Sequence, residues 1–188
     1  MWMCWLSAPA RIIGIRMTTK ELTKISLLVA MNCVSAYIII PLPFSMSPLA
    51  LQTLIVNLVA LLLTPRQAFF TMLVYLLLGV AGVPVFTGGT AGPGKLFGPT
   101  GGYIWAFLPA VVLMAYLRGK EYNFGRYVLV TVGVGMPLIY FAGVSQLMLL
   151  TGLNWWEATL MGVVPFLVGD VAKAVGASYI VRKLEVIS

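Results

Sequence analysis

The chain has 188 residues, 61% of them hydrophobic and 9% charged, with a mean hydropathy of +1.01 and a formal net charge of +7. That balance excludes an ordinary soluble domain, and the length is that of a single unit. The basic residues stand singly or in twos at the ends of apolar runs, with no basic face or interleaved aromatics, which excludes nucleic acid as a partner. The absence of His and the presence of only two cysteines, Cys4 and Cys33, exclude a disulfide framework and a Cys/His metal site.

From the N-terminus, residues 1–16 read as an extension. Met1–Ala10 is apolar, but no basic segment precedes it and it is too short to span a bilayer, which argues against a signal peptide. Thr18 with Glu21 three residues on is a capping box, and the first apolar run comes next, over Leu22–Ile40. Further helices are predicted over Ala50–Leu63, Gln67–Val80, Gly102–Leu117, Tyr127–Leu150 and Pro165–Lys183. The second and third are short for a span and read as a hairpin turning at Thr64-Pro65-Arg66. A short helix over Trp155–Gly162 is capped by Asn154 with Glu157, and its paired tryptophans suit a membrane–water interface.

The fold class expected is therefore an all-α polytopic membrane protein with six transmembrane helices. Six crossings place Arg11, Arg16, Lys20, Lys24, Arg66, Arg118, Lys120, Arg126, Arg182 and Lys183 on one side, and Lys95 alone on the other. Basic residues mark cytoplasmic loops, so both termini are expected in the cytoplasm. An odd number of helices would spoil that asymmetry.

The last apolar stretch, Phe166–Ile180, contains only two charged residues, Asp170 and Lys173. A charge at membrane depth costs about 2.5–3.5 kcal/mol on insertion scales, and such residues face a cavity or the bundle interior. At a spacing of three they share a helix face. They serve either a ligand or a structural pair between helices. Asp170 lies about five residues into its helix, or roughly 7–8 Å below the outer end. Above it lie the proline-braced Pro41–Pro48 loop and the glycine-rich Gly82–Tyr103, with eight glycines and three prolines. Irregular backbone at membrane depth is tolerated only in protein or along a cavity, so this segment either lines a site or simply connects two helices. Within it Gly89, Gly94 and Lys95 fit the start of a phosphate-binding loop. Leu96 stands where that motif needs Ser or Thr, and no strand precedes it, so nucleotide binding is rejected. Gln52, near the outer end of the second helix, is either a helix–helix hydrogen bond or a ligand contact. Ser26 and Ala30 form a small-xxx-small pair that lets helices approach closely.

Gly82-Val-Pro-Val-Phe86, Gly98-Pro-Thr-Gly-Gly-Tyr103 and Pro165-Phe-Leu-Val-Gly-Asp-Val-Ala-Lys173, with Pro48-Leu-Ala-Leu-Gln-Thr53, resemble the signatures of the BioY family. These are the biotin-specific substrate-binding (S) components of energy-coupling factor transporters. The resemblance covers Met17–Ser188 as the substrate-binding domain and leaves residues 1–16 outside. It implies six helices in a prokaryotic cell membrane, an externally facing site for biotin, and no cofactor or catalysis. It also implies association with a transmembrane coupling protein and two cytoplasmic ATPases. Small residues on the first helix dock the coupling protein in that family, and here Ser26 and Ala30 are the nearest match, with Val34 next in register.

Biotin presents a ureido ring with two N–H donors and a carbonyl, an apolar thiophane ring and a valerate carboxylate. On the resemblance, Asp170 takes the ureido N–H groups, while Lys173 compensates its charge or binds the carboxylate. Gln52 and the backbone of Gly88, Gly89, Gly98, Pro99, Thr100, Gly101 and Gly102 supply further hydrogen bonds. Phe86 and Tyr103 pack on the rings, and the Pro41–Pro48 loop acts as a lid. The rival readings are an intramembrane enzyme, which lacks a His, a second acid or a nucleophile–base pair, a ligand-free assembly subunit, and a stand-alone transporter. The last would be expected to show paired broken helices, which the sequence lacks.

Overall fold

The computed structural model describes residues 11–12, 15–40 and 49–187. Most of the extension 1–16 and the Pro41–Pro48 loop lie outside the described residues. Among those described, the protein is all-helical apart from two antiparallel two-residue strand pairs: β1 (Arg11–Ile12) with β2 (Ile15–Arg16), and β3 (Ile39–Ile40) with β4 (Leu49–Ala50).

Helix α1 (Thr19–Ser35) starts at the expected capping box, with the Glu21 N–H donating to Thr18 Oγ1 and the Thr18 N–H donating to the Glu21 carboxylate at 2.8 Å. It buries Ile25, Leu28, Val29, Asn32 and Ser35, a single helical stripe. The predicted helix to Ile40 stops at Ser35, because Ile39 and Ile40 leave to pair with β4. Helices α2 (Gln52–Leu62) and α3 (Pro65–Val80) form the expected tight hairpin. A further capping box sets it: Thr64 with Gln67, and Pro65 in the first turn, where its missing N–H costs nothing. Gln67 also donates to Glu21 at 2.8 Å, tying the start of α3 to that of α1.

Every residue of α2 from Ile55 to Leu61 is buried, because α1, α3, α5 and α9 surround it. A short turn of helix, α4 (Pro93–Leu96), ends the glycine-rich segment before α5 (Gly101–Leu117). Helix α6 (Phe124–Val130) passes through a π-helical turn, Thr131–Gly135, into α7 (Met136–Thr151). The chemistry of that turn is local. Pro137 has no N–H to give the Gly133 carbonyl, and the Met136 N–H reaches back five residues to the Thr131 carbonyl. Helix α7 ends at Gly152 in the left-handed region (φ +71°). The interfacial helix α8 (Trp155–Gly162) is capped by Asn154 and Glu157 as expected, and α9 (Val164–Ile187) comes after it.

Among the described residues, two helical stretches, Phe124–Thr151 and Val164–Leu184, are long and apolar enough to cross a bilayer; α2, α3 and α5 are shorter apolar helices. The outer surface is apolar as well, with Leu149 85% and Val168 81% exposed. A soluble monomer does not leave such a surface to water. Its interior gathers the polar groups instead, including Asn32, Gln52, Asn57, Thr71, Thr131 and Asp170.

Candidate ligand site

The first residues of α2 meet α5, α7 and α9 around a cavity of about 500 Å³, counted to its open mouth. Its polar wall is Ala50, Gln52, Thr53, Thr87, Tyr140, Asp170 and Lys173; its apolar and aromatic wall is Tyr103, Phe107, Ile139 and Phe166. This is the make-up of a small-molecule pocket: mostly apolar, with a few convergent polar groups.

Asp170 and Lys173 face the cavity as an ion pair, with Nζ 2.6 Å from Oδ1. The ammonium also donates to the Ala50 carbonyl and to Thr53 Oγ1, each at 2.7 Å. Its three protons are therefore all engaged. Thr53 relays the contact, donating in turn to Asp170 Oδ1 at 2.9 Å. Tyr140 Oη donates to the other carboxylate oxygen, Oδ2, at 2.7 Å. Three donors thus hold a buried carboxylate in one orientation, while its Oδ2 retains capacity to accept another. Charge at this depth is tolerable because it is paired and hydrogen-bonded.

Gln52 makes hydrogen bonds between elements and also lines the cavity. Its amide donates to Tyr75 Oη and accepts from Thr87 Oγ1 at 3.0 Å, and Tyr75 Oη in turn donates to the Val85 carbonyl. Gln52 therefore joins α2 to α3 and to the glycine-rich segment while lining the cavity. Tyr103 also lines it. Its hydroxyl donates to the Gly162 carbonyl at 2.8 Å, and its ring lies where a Cβ on Gly143 would be, so α5 seats against α7 and α8.

The other expected contacts take different places. Phe86 is fully buried behind the wall, its ring edge-on to Tyr75 and over Gly79, where a Cβ would collide with it. Gly88 donates to the Ala36 carbonyl at 2.9 Å, and Gly89 (φ +70°) lies under the Tyr37 ring, so both fasten the glycine-rich segment to the end of α1. Gly98, Pro99, Thr100, Gly101 and Gly102 do not line the cavity. The Leu96 and Gly98 carbonyls accept from Gln146, and Gly101 and Gly102 leave room for Gln146 and the Ala142 carbonyl of α7. The sequence reading missed Ala50, Thr53, Thr87, Phe107, Ile139, Tyr140 and Phe166 as lining residues. Thr53 adjoins Gln52 and Tyr140 is one of three hydroxyl residues in a mostly apolar helix, but neither carries a spacing signal. Lys95 sits on α4, outside the spanning helices, and its burial holds the ammonium pKa below the ordinary lysine value. A helix, α3, rather than a strand precedes that stretch, so the phosphate-loop likeness has no structural counterpart. Ser26 and Ala30 are exposed on the outer face of α1.

An apolar helical bundle enclosing a pocket with a buried ion pair, one carboxylate oxygen of which can still accept a donor, is an architecture suited to holding a small ligand within a membrane. The chain belongs to the BioY family, whose profile matches residues 9–187 and so begins inside the segment read as an extension. It is 38% identical over 169 residues to a probable biotin transporter BioY of Pyrococcus horikoshii, covering 90% of this chain and 98% of the relative. It is 39% identical to the biotin transporter BioY2 of Lactococcus lactis subsp. cremoris, covering 79% and 82%. Its fold matches a crystal structure of the S-component for biotin from an ECF-type ABC transporter. The TM-score is 0.81 at 27% identity, covering 90% of this chain and 94% of that one. The chain is accordingly a transport component and not an enzyme.

Proposed function

We propose that this protein is the biotin-binding S component of an energy-coupling factor importer. It captures biotin from the external side and delivers it together with a separate transmembrane coupling protein and two cytoplasmic ATPases. The observation that carries the reading is the Asp170 carboxylate, oriented by Lys173, Thr53 and Tyr140 at the wall of an aromatic-lined cavity, in a member of the BioY family.

In this reading Asp170 accepts a ureido N–H, and Tyr103, Phe107 and Phe166 enclose the bicyclic ring. Gln52 and Thr87 offer further polar contacts. Of the two roles considered for Lys173, charge compensation is favoured, because all three ammonium protons already have acceptors. The valerate then extends toward the mouth. Six crossings, α1, α2, α3, α5, α6–α7 and α9, with both termini cytoplasmic in a prokaryotic cell membrane, are supported by the ten-to-one division of basic residues. Ser26 and Ala30, exposed on α1, are the docking face for the coupling protein.

The test is equilibrium binding of biotin to detergent-purified protein, with mass spectrometry of whatever ligand co-purifies. Saturable one-to-one binding is expected, and Asp170→Asn with Lys173→Met should weaken it by at least tenfold while leaving a folded protein. A parent that shows no saturable binding, or a double variant that binds equally well, overturns the proposal.

A further inference from the structure

Below the cavity, separated from it by Thr53, Ile139, Tyr140 and Asp170, lies a smaller chamber closed by Asn57 and Met136. Asn57 is one helical turn beyond Thr53 on the same face of α2. It is only 6% exposed, yet its side-chain amide makes no hydrogen bond to any described residue. A buried amide in an apolar bundle costs free energy unless something meets it, and native interiors leave few such groups unpaired. The chamber has room for one water. Around that space stand Asn57, Thr53 Oγ1, Tyr140 Oη and the Asp170 carboxylate, within the two to four polar partners that a buried water uses.

We propose that the chamber is a water site built around Asn57, and that Asn57 is a positioning residue acting through this water on Asp170. The water accepts from the Asn57 amide and donates to Tyr140 Oη, whose own proton stays on Asp170 Oδ2. Asp170 already receives Lys173 and Thr53 on Oδ1 and Tyr140 on Oδ2. The ligand takes the last of its roughly four lone-pair positions, so the water steadies the carboxylate through the Tyr140 hydroxyl instead of competing for it. The inference rests on the reading of Asp170 as the ligand's acceptor.

Two substitutions separate a water site from plain packing. Asn57→Leu fills the chamber with apolar volume, and Asn57→Ala enlarges it so that a second water takes the amide's place. Biotin affinity should fall about tenfold in Asn57→Leu, the upper end for loss of one neutral hydrogen bond. Asn57→Ala should stay within about threefold of the parent, although it melts earlier when ligand-free. A packing role predicts the reverse order, since alanine leaves the larger gap. An Asn57→Leu variant that binds like the parent overturns the proposal, as does a tenfold loss in Asn57→Ala, which decides the matter even if the leucine variant does not fold. If the parent binds no biotin, the reading of the whole site falls with it. A parent that binds, beside an unaffected Asn57→Leu, removes the water site alone.

Discussion

The wall around Asp170 and the glycine-rich stretch from Gly82 to Gly102 both hold polar atoms inside an apolar bundle, and they do so by opposite means. The wall uses side chains from different helices that satisfy one another: Lys173 and Asp170 on α9, Thr53 on α2, Tyr140 on α7. Its groups point at a cavity. The glycine-rich stretch uses missing side chains. Gly89, Gly101 and Gly102 are small because Tyr37, the Leu96 carbonyl with Gln146, and the Ala142 carbonyl occupy the space a Cβ would need. Its backbone groups are spent on neighbours, as in Gly88 to Ala36 and Gln146 to Gly98. Glycine and buried charge are both signs of constraint in a membrane chain. Here charge marks a place where something can bind, and glycine marks a place where helices and loops must touch.

If that contrast is right, substitutions in the wall should separate stability from binding, and those in the glycine-rich stretch should not. The largest effect is expected for Lys173→Ala, which leaves the Asp170 carboxylate buried without its cation and costs about 3–5 kcal/mol. Thermal unfolding of the ligand-free protein in detergent reads this directly. Adding Asp170→Asn should recover much of the stability and none of the biotin affinity, and recovery of both would show that the pair is merely structural. Gly102→Ala comes next, at about 1–3 kcal/mol, because α5 must move away from the Ala142 carbonyl. Its loss should appear as a lower melting temperature with biotin affinity per folded molecule unchanged. A selective loss of affinity would put the α5 N-terminus back among the ligand contacts.

Sequence patterning revealed the frame and the smaller part of the wall. Capping residues Thr18 and Asn154 were legible because a cap needs only a local pair of side chains, three residues apart. Asp170, Lys173 and Gln52 were legible because polarity in an apolar run is conspicuous in one dimension. Tyr140 and Ile139 were not. The π turn at Thr131–Gly135 inserts a residue ahead of them and rotates the whole of α7 by about 100°, so a regular 3.6-residue wheel assigns that helix the wrong face. Gly133, Gly135 and Pro137 are its trace in sequence, but such residues are common in membrane helices. Phe86 reads two ways in the sequence for another reason. An aromatic beside a glycine-rich loop fits a ligand ring and fits Gly79 equally well, and only the packing of α3 decides between them.

The smallest effect expected is also the one that tests the boundary between the two regions. Thr87 belongs to the glycine-rich segment, yet its hydroxyl donates to Gln52 Oε1 at 3.0 Å and it lines the cavity. Thr87→Val keeps the branched shape and removes that donor, leaving the Gln52 carbonyl short of one partner. A neutral hydrogen bond of this kind contributes about 1 kcal/mol. The loss can fall in two places. If Thr87 only braces the segment against α2, the melting temperature drops and biotin affinity holds. If Gln52 must be held in place to meet the ligand, affinity falls by about fivefold while melting changes little, because the amide still reaches Tyr75. The second outcome is expected, since Gln52 and Thr87 face the same cavity from two elements and a free side chain would have to be ordered again on binding. A drop in melting temperature alone would move Thr87 to the glycine-rich side of the comparison and leave the ligand wall entirely to α2, α5, α7 and α9.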